Sequence, residues 1–554
     1  MKKHIFIIIA IIISSFFSWK ALLPTGYPSM HDDMQWMRIY EMNLCLKDNQ
    51  FPCRWVPDLG NGFGYPLFNY YPPLPYYLAQ IPYALGLSLL SSVKILFALG
   101  LVLSGIGMYF LAQEFWGKLG GFLSAIFYIY APYHATDLYV RGAMAEHWAL
   151  VWFPFILYAI YKLIKSPRLS WLMLLALSYG SLLTSHNIMS MLFSVAAFVW
   201  GILWLVVTKN VPALKKLIIG VFWGLGLAAF FIIPVLVEKK YAHTETMTMG
   251  YFGYLAHFAT LKQLFLKTEW GWGASVGPDD KFPYMIGFYH WGLIIVNTLM
   301  GLIFWRKKKK RPLLYTTLFI TIAFLSTAFM CHQRSTFIWK MIPPLEYLQF
   351  PWRFLGLVIF FASFGSGAVI TLLQKNKFKY IAVILLTIGM YFSVSDYFRP
   401  EIYRAWSDRD VLTGAKWDLS LRDAIFDYLP VYAQYPPAEK AIGIPQIVRG
   451  QGRVLDLNKG TNWQKFTVET ESDTVDIQPS LYDFPQWQVL IDNKPVSTNH
   501  DNYFGLVTFT APQGSHEVSI RLQNTPIRTI ANIYSLISWS SLIGLFLVWR
   551  LRKS

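Results

Sequence analysis

Two adjacent carboxylates, Asp32 and Asp33, stand in the segment Pro28–Ser29–Met30–His31–Asp32–Asp33–Met34–Gln35–Trp36–Met37–Arg38, just past the first long apolar run. An ionisable group beside hydrocarbon costs free energy, and its usual justification is a site. The chemistry open to such a carboxylate is general-base catalysis, taking a proton from a hydroxyl that then attacks. Adjacent residues point in different directions, so one can face a cavity while the other caps the following helix, a role Asp favours. Capping or plain solvation of both is the alternative.

A second group follows in Asp137–Leu138–Tyr139–Val140–Arg141–Gly142–Ala143–Met144–Ala145–Glu146–His147. Asp137, Arg141, Glu146 and His147 converge within one short connection. Arg141 could bind a phosphate oxygen through charge-assisted hydrogen bonds, and Glu146 could orient substrate or hold Arg141. His186, in Leu183–Thr184–Ser185–His186–Asn187, is either a hydrogen-bonded helix-end residue or a ligand. Arg353, in Gln349–Phe350–Pro351–Trp352–Arg353–Phe354, is either a snorkelling anchor or a second phosphate ligand. The aromatic, Gly- and Pro-rich stretch 52–77 suits a membrane interface first and sugar stacking second. No Walker loop, dinucleotide fingerprint or HExxH motif is present.

The elements that must hold these residues are membrane spans. The chain has 554 residues, 55% apolar and 14% charged, the composition of a multi-pass membrane protein. Twelve spans are expected: Ile5–Leu23, Val93–Gln113, Leu119–Pro132, His147–Leu163, Leu169–Ser185, Ile188–Val207, Leu217–Val237, Ile286–Trp305, Leu313–Met330, Phe354–Leu373, Tyr380–Val394 and Ala531–Trp549. The net charge of +17 does not point to nucleic acid, because the basic residues cluster at span ends. Lys2–Lys3, Lys162/Lys165/Arg168, Lys209/Lys215/Lys216, Arg306 to Arg311, Lys375/Lys377/Lys379 and Arg550/Arg552/Lys553 form a positive-inside pattern. With both termini cytoplasmic, every cluster falls inside. That parity requires Pro75–Leu90, with its prolines and tyrosines, to be interfacial and not a span. The run after Lys2–Lys3 lacks a small-x-small cleavage pattern, so an uncleaved first span is expected.

Segments 24–92, 133–146, 238–285 and 331–353 then share the extracytoplasmic side. So does 395–530, whose strand-like runs and turns (Val489–Leu490–Ile491, Asp492–Asn493, Val518–Ser519–Ile520) predict a small β-sandwich ahead of the last span. The domains are thus 1–394, 395–530 and 531–554. Cys45 and Cys53 share the first outer loop and can pair there.

One span followed by an outer loop opening on an acidic motif, interfacial helices and many further spans resembles the GT-C superfamily of integral-membrane glycosyltransferases. More narrowly, His31–Asp32, the stretch Pro52 to Pro75, Arg141 to Glu146, Ser185–His186–Asn187 and Gln349 to Arg353 resemble the membrane family labelled pyruvoyl-tetrahydropterin synthase-related. Phe484–Pro485–Gln486–Trp487 with Ile491 to Lys494 is similar to the tail of YfhO-type proteins. The resemblance implies a transferase drawing on a polyprenyl-phosphate-linked sugar at the extracytoplasmic face of the plasma membrane. A first-loop Asp is the base, best matched by Asp32 with Asp33 as alternative, and the outcome is inversion. The acceptor is an extracytoplasmic glycan, lipid or protein. His31, Arg141, Glu146, His186, Arg353 and Asp137 are the expected substrate contacts. No cofactor is certain; some relatives use a divalent metal, which Asp32, Asp33 and Glu146 could hold. A transporter or flippase of lipid-linked sugars and a non-catalytic scaffold of envelope assembly are the competing readings, and fold analogy alone does not choose between them.

Overall fold

Apolar runs this long close all their backbone hydrogen bonds only as helices, and helices dominate the chain. The computed structural model describes residues 4–277, 279–305, 311–423 and 425–552. Lys2–Lys3, most of the 306–311 cluster and Lys553 lie outside them. Among the described residues, nine helices are long and apolar enough to cross a bilayer, or ten if one bent pair is counted as a span.

The differences from twelve have local causes. Val93–Gln113 and Leu119–Pro132 fall within one run, Leu89–Ile129, broken at Gly117 (φ 72°, ψ 178°). The run folds back on itself there: a Cβ at Gly121 would lie 2.9 Å from that of Gln113, and one at Gly105 would lie 2.4 Å from Ile129 Cδ1. Leu169–Ser185 has only 17 residues, about 26 Å at 1.5 Å per residue. The span expected over Leu217–Val237 is the pair Ala213–Leu227 and Ala229–Tyr241, bent by 76°. Side chains of the last helix, Pro526–Leu551, satisfy the backbone groups opened at that bend. Ser535 Oγ accepts from Phe230 N–H (2.8 Å) and donates to Gly226 O (2.9 Å), and Trp539 Nε1 donates to Leu227 O (3.1 Å). Leu74–Ala84, the helix expected at the interface, has 11 residues, too few to cross.

The helices pack through small residues, as membrane helices do. A Cβ at Gly367 would lie 2.3 Å from Gly120 O, and one at Gly120 would lie 2.8 Å from Gly367 O. Trp116 Nε1 seals the same seam by donating to Phe364 O at 2.7 Å.

The β-rich region is one six-stranded antiparallel sheet from Gln446–Arg449 to Phe509–Leu522. Its two long strands, Trp463–Gln478 and Phe509–Leu522, pair along their length with a shift between Thr470 and Thr474. Buried positions change from even (Phe466, Val468) to odd numbers (Val475, Ile477) across that shift, so it divides the sheet into two halves. Residues 395–445, assigned by composition to the β-rich domain, contribute no strand to this sheet. They form a strap over the first loop: Tyr403–Arg404 pairs with Tyr27–Pro28, and Asp408 accepts from the N–H groups of Leu89 and Leu90 at 2.7 and 3.2 Å.

The first loop is anchored by a Cys45–Cys53 disulfide. Most of its aromatic stretch packs inside the protein. Trp55, Tyr65, Phe68, Tyr70 and Tyr76 are buried, and Trp55 meets Trp487 edge-on at 5.3 Å. The Phe484–Trp487 motif is therefore packing between loop and sheet. A buried cluster on Glu238 ties in the last helix: its carboxylate accepts from Arg528 Nε (2.9 Å), Thr525 Oγ1 (2.6 Å) and Asn69 Nδ2 (3.1 Å).

Candidate active site

Asp32 and Arg141 are brought together by backbone. The N–H groups of His31 and Asp32 donate to Val140 O and Arg141 O, both at 2.9 Å. Gly142 makes this contact possible, since it has φ 64° and a Cβ there would lie 2.3 Å from Met30 Sδ and 2.7 Å from Asp32 O. Gln35 locks the junction, donating to Gly142 O at 2.8 Å and to Asp32 Oδ2 at 3.0 Å while its own Oε1 takes the Tyr76 hydroxyl proton at 2.7 Å.

The result is one cavity of about 750 Å³. Every segment placed on one side by the charge pattern contributes to its wall: Asp32 and Arg38, Arg141 and Glu146, Met247 and Phe282, Gln349 and Arg353, and Lys416 and Asp427. Its acidic end holds Asp32, Asp33, Asp423 and Asp427. Arg38 Nη1 donates to both Asp32 oxygens (3.0 and 2.8 Å) and its guanidinium lies 4.4 Å from the Tyr71 ring centre. Lys416 Nζ donates to both Asp33 oxygens at 3.1 and 2.9 Å. Burial, with Asp32 adding repulsion and Arg38 opposing, pushes Asp427 up to about 6.

At the other end Glu146 is a hub. It accepts from Arg141 Nη1 at 2.8 Å and the Tyr133 hydroxyl at 2.6 Å, and Arg353 Nε stands 3.5 Å away. Arg141 lies 4.6 Å from the Trp352 ring centre. Arg353 Nη1 donates to Leu348 O (2.8 Å) and Gln349 Oε1 (3.0 Å). His186 Nδ1 accepts from Met189 N–H at 3.1 Å, so the ring proton sits on Nε2. Burial holds this imidazole down to about 3, hence neutral. Its Nε2–H and the Nη2 groups of both arginines have no acceptor among the described residues and lie on cavity-lining side chains.

Asp137, expected as a substrate contact, does not line the cavity. It is fully buried and paired with Arg141 Nη1 from behind, outside the lining. Burial, reinforced by Glu146 and opposed by Arg141, holds its carboxyl well above the usual range. His147 also turns away, with Nε2 on Phe97 O at 2.9 Å. His31 is at the rim, with Nε2 at 3.2 Å from Trp272 O. The acidic set expected for a metal does not gather: Asp32 and Asp33 are held by separate cations and Glu146 by Arg141 and Tyr133. Among the described residues no three His, Cys, Asp or Glu side chains converge as a metal site.

Sequence reasoning assigned no role to Arg38, Lys416, Asp423 or Asp427, and named Tyr71 only within the aromatic stretch 52–77. Arg38 carried a signal, since it lies in the first turn of Gln35–Lys47, one and a half turns from Asp32. The strap residues carried none, because nothing local says that 416–427 folds back across the first loop.

With this geometry in place, the chain belongs to the family described as "6-pyruvoyl-tetrahydropterin synthase related domain; membrane protein", whose model matches residues 68–400. This is the family that its motifs resemble. An uncharacterized protein of Lactococcus lactis subsp. cremoris (strain MG1363) is 24% identical over 213 residues, 37% of this chain and 34% of that protein; the chain thus matches about a third of its relative's length. Among solved structures, an oligosaccharyltransferase of Archaeoglobus fulgidus in the apo form has a TM-score of 0.41 at 12% identity, over 76% of this chain and 60% of that one. The same enzyme in complex with Zn and sulfate gives 0.42, at 12% identity over 72% and 53%. The arabinofuranosyltransferase AftD from Mycobacteria gives 0.45 at 14%, over 72% of this chain and 27% of that one.

Proposed function

We propose that the protein is a membrane glycosyltransferase that moves a sugar from a polyprenyl-phosphate-linked donor to a hydroxyl of an extracytoplasmic acceptor. The observation that carries this reading is the polarity of the first cavity: carboxylates at one end, and at the other Arg141, Arg353 and His186 with donors that have no acceptor among the described residues. A phosphate leaving group needs cationic donors on its oxygens as the bond breaks. An acceptor alcohol needs a base. A donor carried on a lipid explains why both sit on a membrane protein.

In this mechanism Asp32 takes the acceptor's hydroxyl proton. The alkoxide oxygen bonds to the anomeric carbon as the bond from that carbon to the phosphate oxygen breaks, and the electron pair leaves with the phosphate. The new charge is met by Arg141, Arg353 and the Nε2–H of His186. One displacement inverts the anomeric carbon. Arg38 orients Asp32, Glu146 positions both arginines, and no step is routed through a metal. Asp32 is favoured over Asp33 because its own N–H is bonded to the backbone of Arg141, so base and phosphate ligand share one rigid reference.

The test is a cryo-EM map of the full chain in nanodiscs with a polyprenyl-phosphate analogue, paired with transfer assays using polyprenyl-phosphate hexoses and pentoses. Phosphate density among Arg141, Arg353 and His186, with release of polyprenyl phosphate on turnover, is the expected result. Lipid phosphate lodged elsewhere refutes it.

A further inference from the structure

A second cavity of about 620 Å³ lies between the first loop and the sheet. Its walls include Tyr40, Asp58, Trp417, Lys440 and Lys459. The short helix Gly414–Ser420 is the partition between the two cavities. Lys416 and Leu419 line the first, while Trp417 and Leu421 line the second.

This is a built site and not a surface dent. Asp48 accepts from Thr461 N–H (2.6 Å), Thr461 Oγ1 (2.7 Å) and Trp463 Nε1 (3.0 Å), clamping the sheet to the end of helix Gln35–Lys47. Asn61 Nδ2 donates to Glu439 O at 2.8 Å, Asn61 N–H donates to Leu421 O at 2.8 Å, and Ala441 N–H donates to Asn61 O at 2.9 Å. The first loop, the strap and the sheet are thereby held in one frame. Within it the Trp417 and Tyr40 rings meet at 5.7 Å and 88°, and burial raises the Asp58 carboxyl above its usual range while Lys459 and Lys440 oppose that rise. An aromatic ring beside a carboxylate acceptor and ammonium donors is the chemistry that reads a sugar, with apolar C–H faces on rings and hydroxyls on charged groups.

From this we infer that the second cavity binds a saccharide chain, the part of the acceptor that trails from the reacting hydroxyl across the Gly414–Ser420 partition. The inference rests on the glycosyltransferase reading for the word acceptor, and it names the acceptor's class as glycan.

The experiment is binding of maltohexaose, cellohexaose and chitohexaose to the full chain in nanodiscs, read by saturation-transfer NMR and calorimetry. At least one hexasaccharide binds saturably below millimolar concentration. Trp417→Ala weakens it tenfold or more, and Asp58→Asn, nearly isosteric and so safe for folding, weakens it at least fivefold. Asp32→Asn leaves it unchanged. No binding by any of the three, or binding indifferent to Trp417→Ala and Asp58→Asn, overturns the inference, as does binding lost in Asp32→Asn, which would put the sugar in the first cavity. Should Asp32→Asn leave sugar transfer intact while hexasaccharide binding behaves as stated, only the catalytic reading falls.

Discussion

Replacing Asp32 by Asn separates catalysis from structure more sharply than any other change in this chain. Asn keeps the shape and one acceptor oxygen for Arg38. The other position, where Asp32 Oδ2 now accepts from Gln35 Nε2 at 3.0 Å, becomes a donor facing a donor. Gln35 cannot flip to relieve this, because its Nε2 is committed to Gly142 O and its Oε1 to the Tyr76 hydroxyl. Arg38 also loses its ionised partner. Asp32 is 36% exposed and Arg38 is 7% exposed, so the structural cost belongs to the low end for charged hydrogen bonds, about 1–2 kcal/mol. Loss of a general base costs roughly 10²–10⁴ in turnover, about 3–5 kcal/mol of barrier. The turnover effect therefore exceeds the stability effect. Asp33→Asn breaks only the half-open pair with Lys416 (2.9 Å, 24% and 18% exposed), about 0.2–1 kcal/mol, and should lower turnover less than about fivefold by the same conversion. The assay is single-turnover sugar transfer by the full chain in nanodiscs, with donor-lipid binding measured alongside. Asp32→Asn should bind donor normally while turnover falls at least a hundredfold. Turnover within fivefold of wild type, donor affinity falling in step with turnover, or an equal loss in Asp33→Asn would each refute the assignment.

Gly142→Ala puts a Cβ into Met30 and Asp32 at a left-handed backbone position. It should lower turnover tenfold or more with little change in donor affinity, and donor affinity falling as steeply as turnover would contradict that. His186→Ala removes one neutral donor to a charged oxygen, worth about 1.5–3 kcal/mol, so lipid-phosphate affinity should weaken about 10–100-fold in a binding titration. His186→Gln should recover part of it. Asp427, raised from 3.8 to about 6, binds its proton more tightly folded than unfolded. Stability it contributes at low pH is lost as pH rises from about 4 to 6, by at most about 3 kcal/mol. Thermal or denaturant unfolding should show Asp427→Asn gaining on wild type across that window and holding its lead above it. Glu238→Ala strands the Arg528 guanidinium, 0% exposed, and should cost about 3–5 kcal/mol in denaturant unfolding with the catalytic residues untouched.

How far the sequence could be read divides along a physical line. Span positions and their common face were legible because hydropathy and flanking charge act locally. The segments carrying Asp32, Arg141, His186 and Arg353 do converge on one cavity. The reversal at Gly117 was legible too, because Gln113, Glu114 and Lys118 interrupt the apolar run there and Val93–Gln113 and Leu119–Pro132 fall on either side of it. The bend at Ala228 was not, because Ser535 and Trp539 make it tolerable from 300 residues away in sequence. Asp137 looked like a ligand because charge near Arg141 was all that could be seen, whereas its burial behind Arg141 depends on tertiary packing. Much of the aromatic stretch 52–77 is packing that a sequence does not announce, because a sheet 400 residues later covers it, while Tyr71 lines the first cavity.

The strap 403–428 closes the argument about why the acids and bases of one cavity come from such distant parts of the chain. Lys416 reaches Asp33, Asp427 stands near Arg38 and Asp32, and Asp408 caps the helix that begins at Leu89. The same strap carries Trp417 into the second cavity and is tied through Asn61 to the first loop. The short helix that holds Lys416 against Asp33 therefore also walls the second cavity through Trp417. The Asp33–Lys416 pair of the first cavity and Trp417 of the second are thus joined through one helix of seven residues.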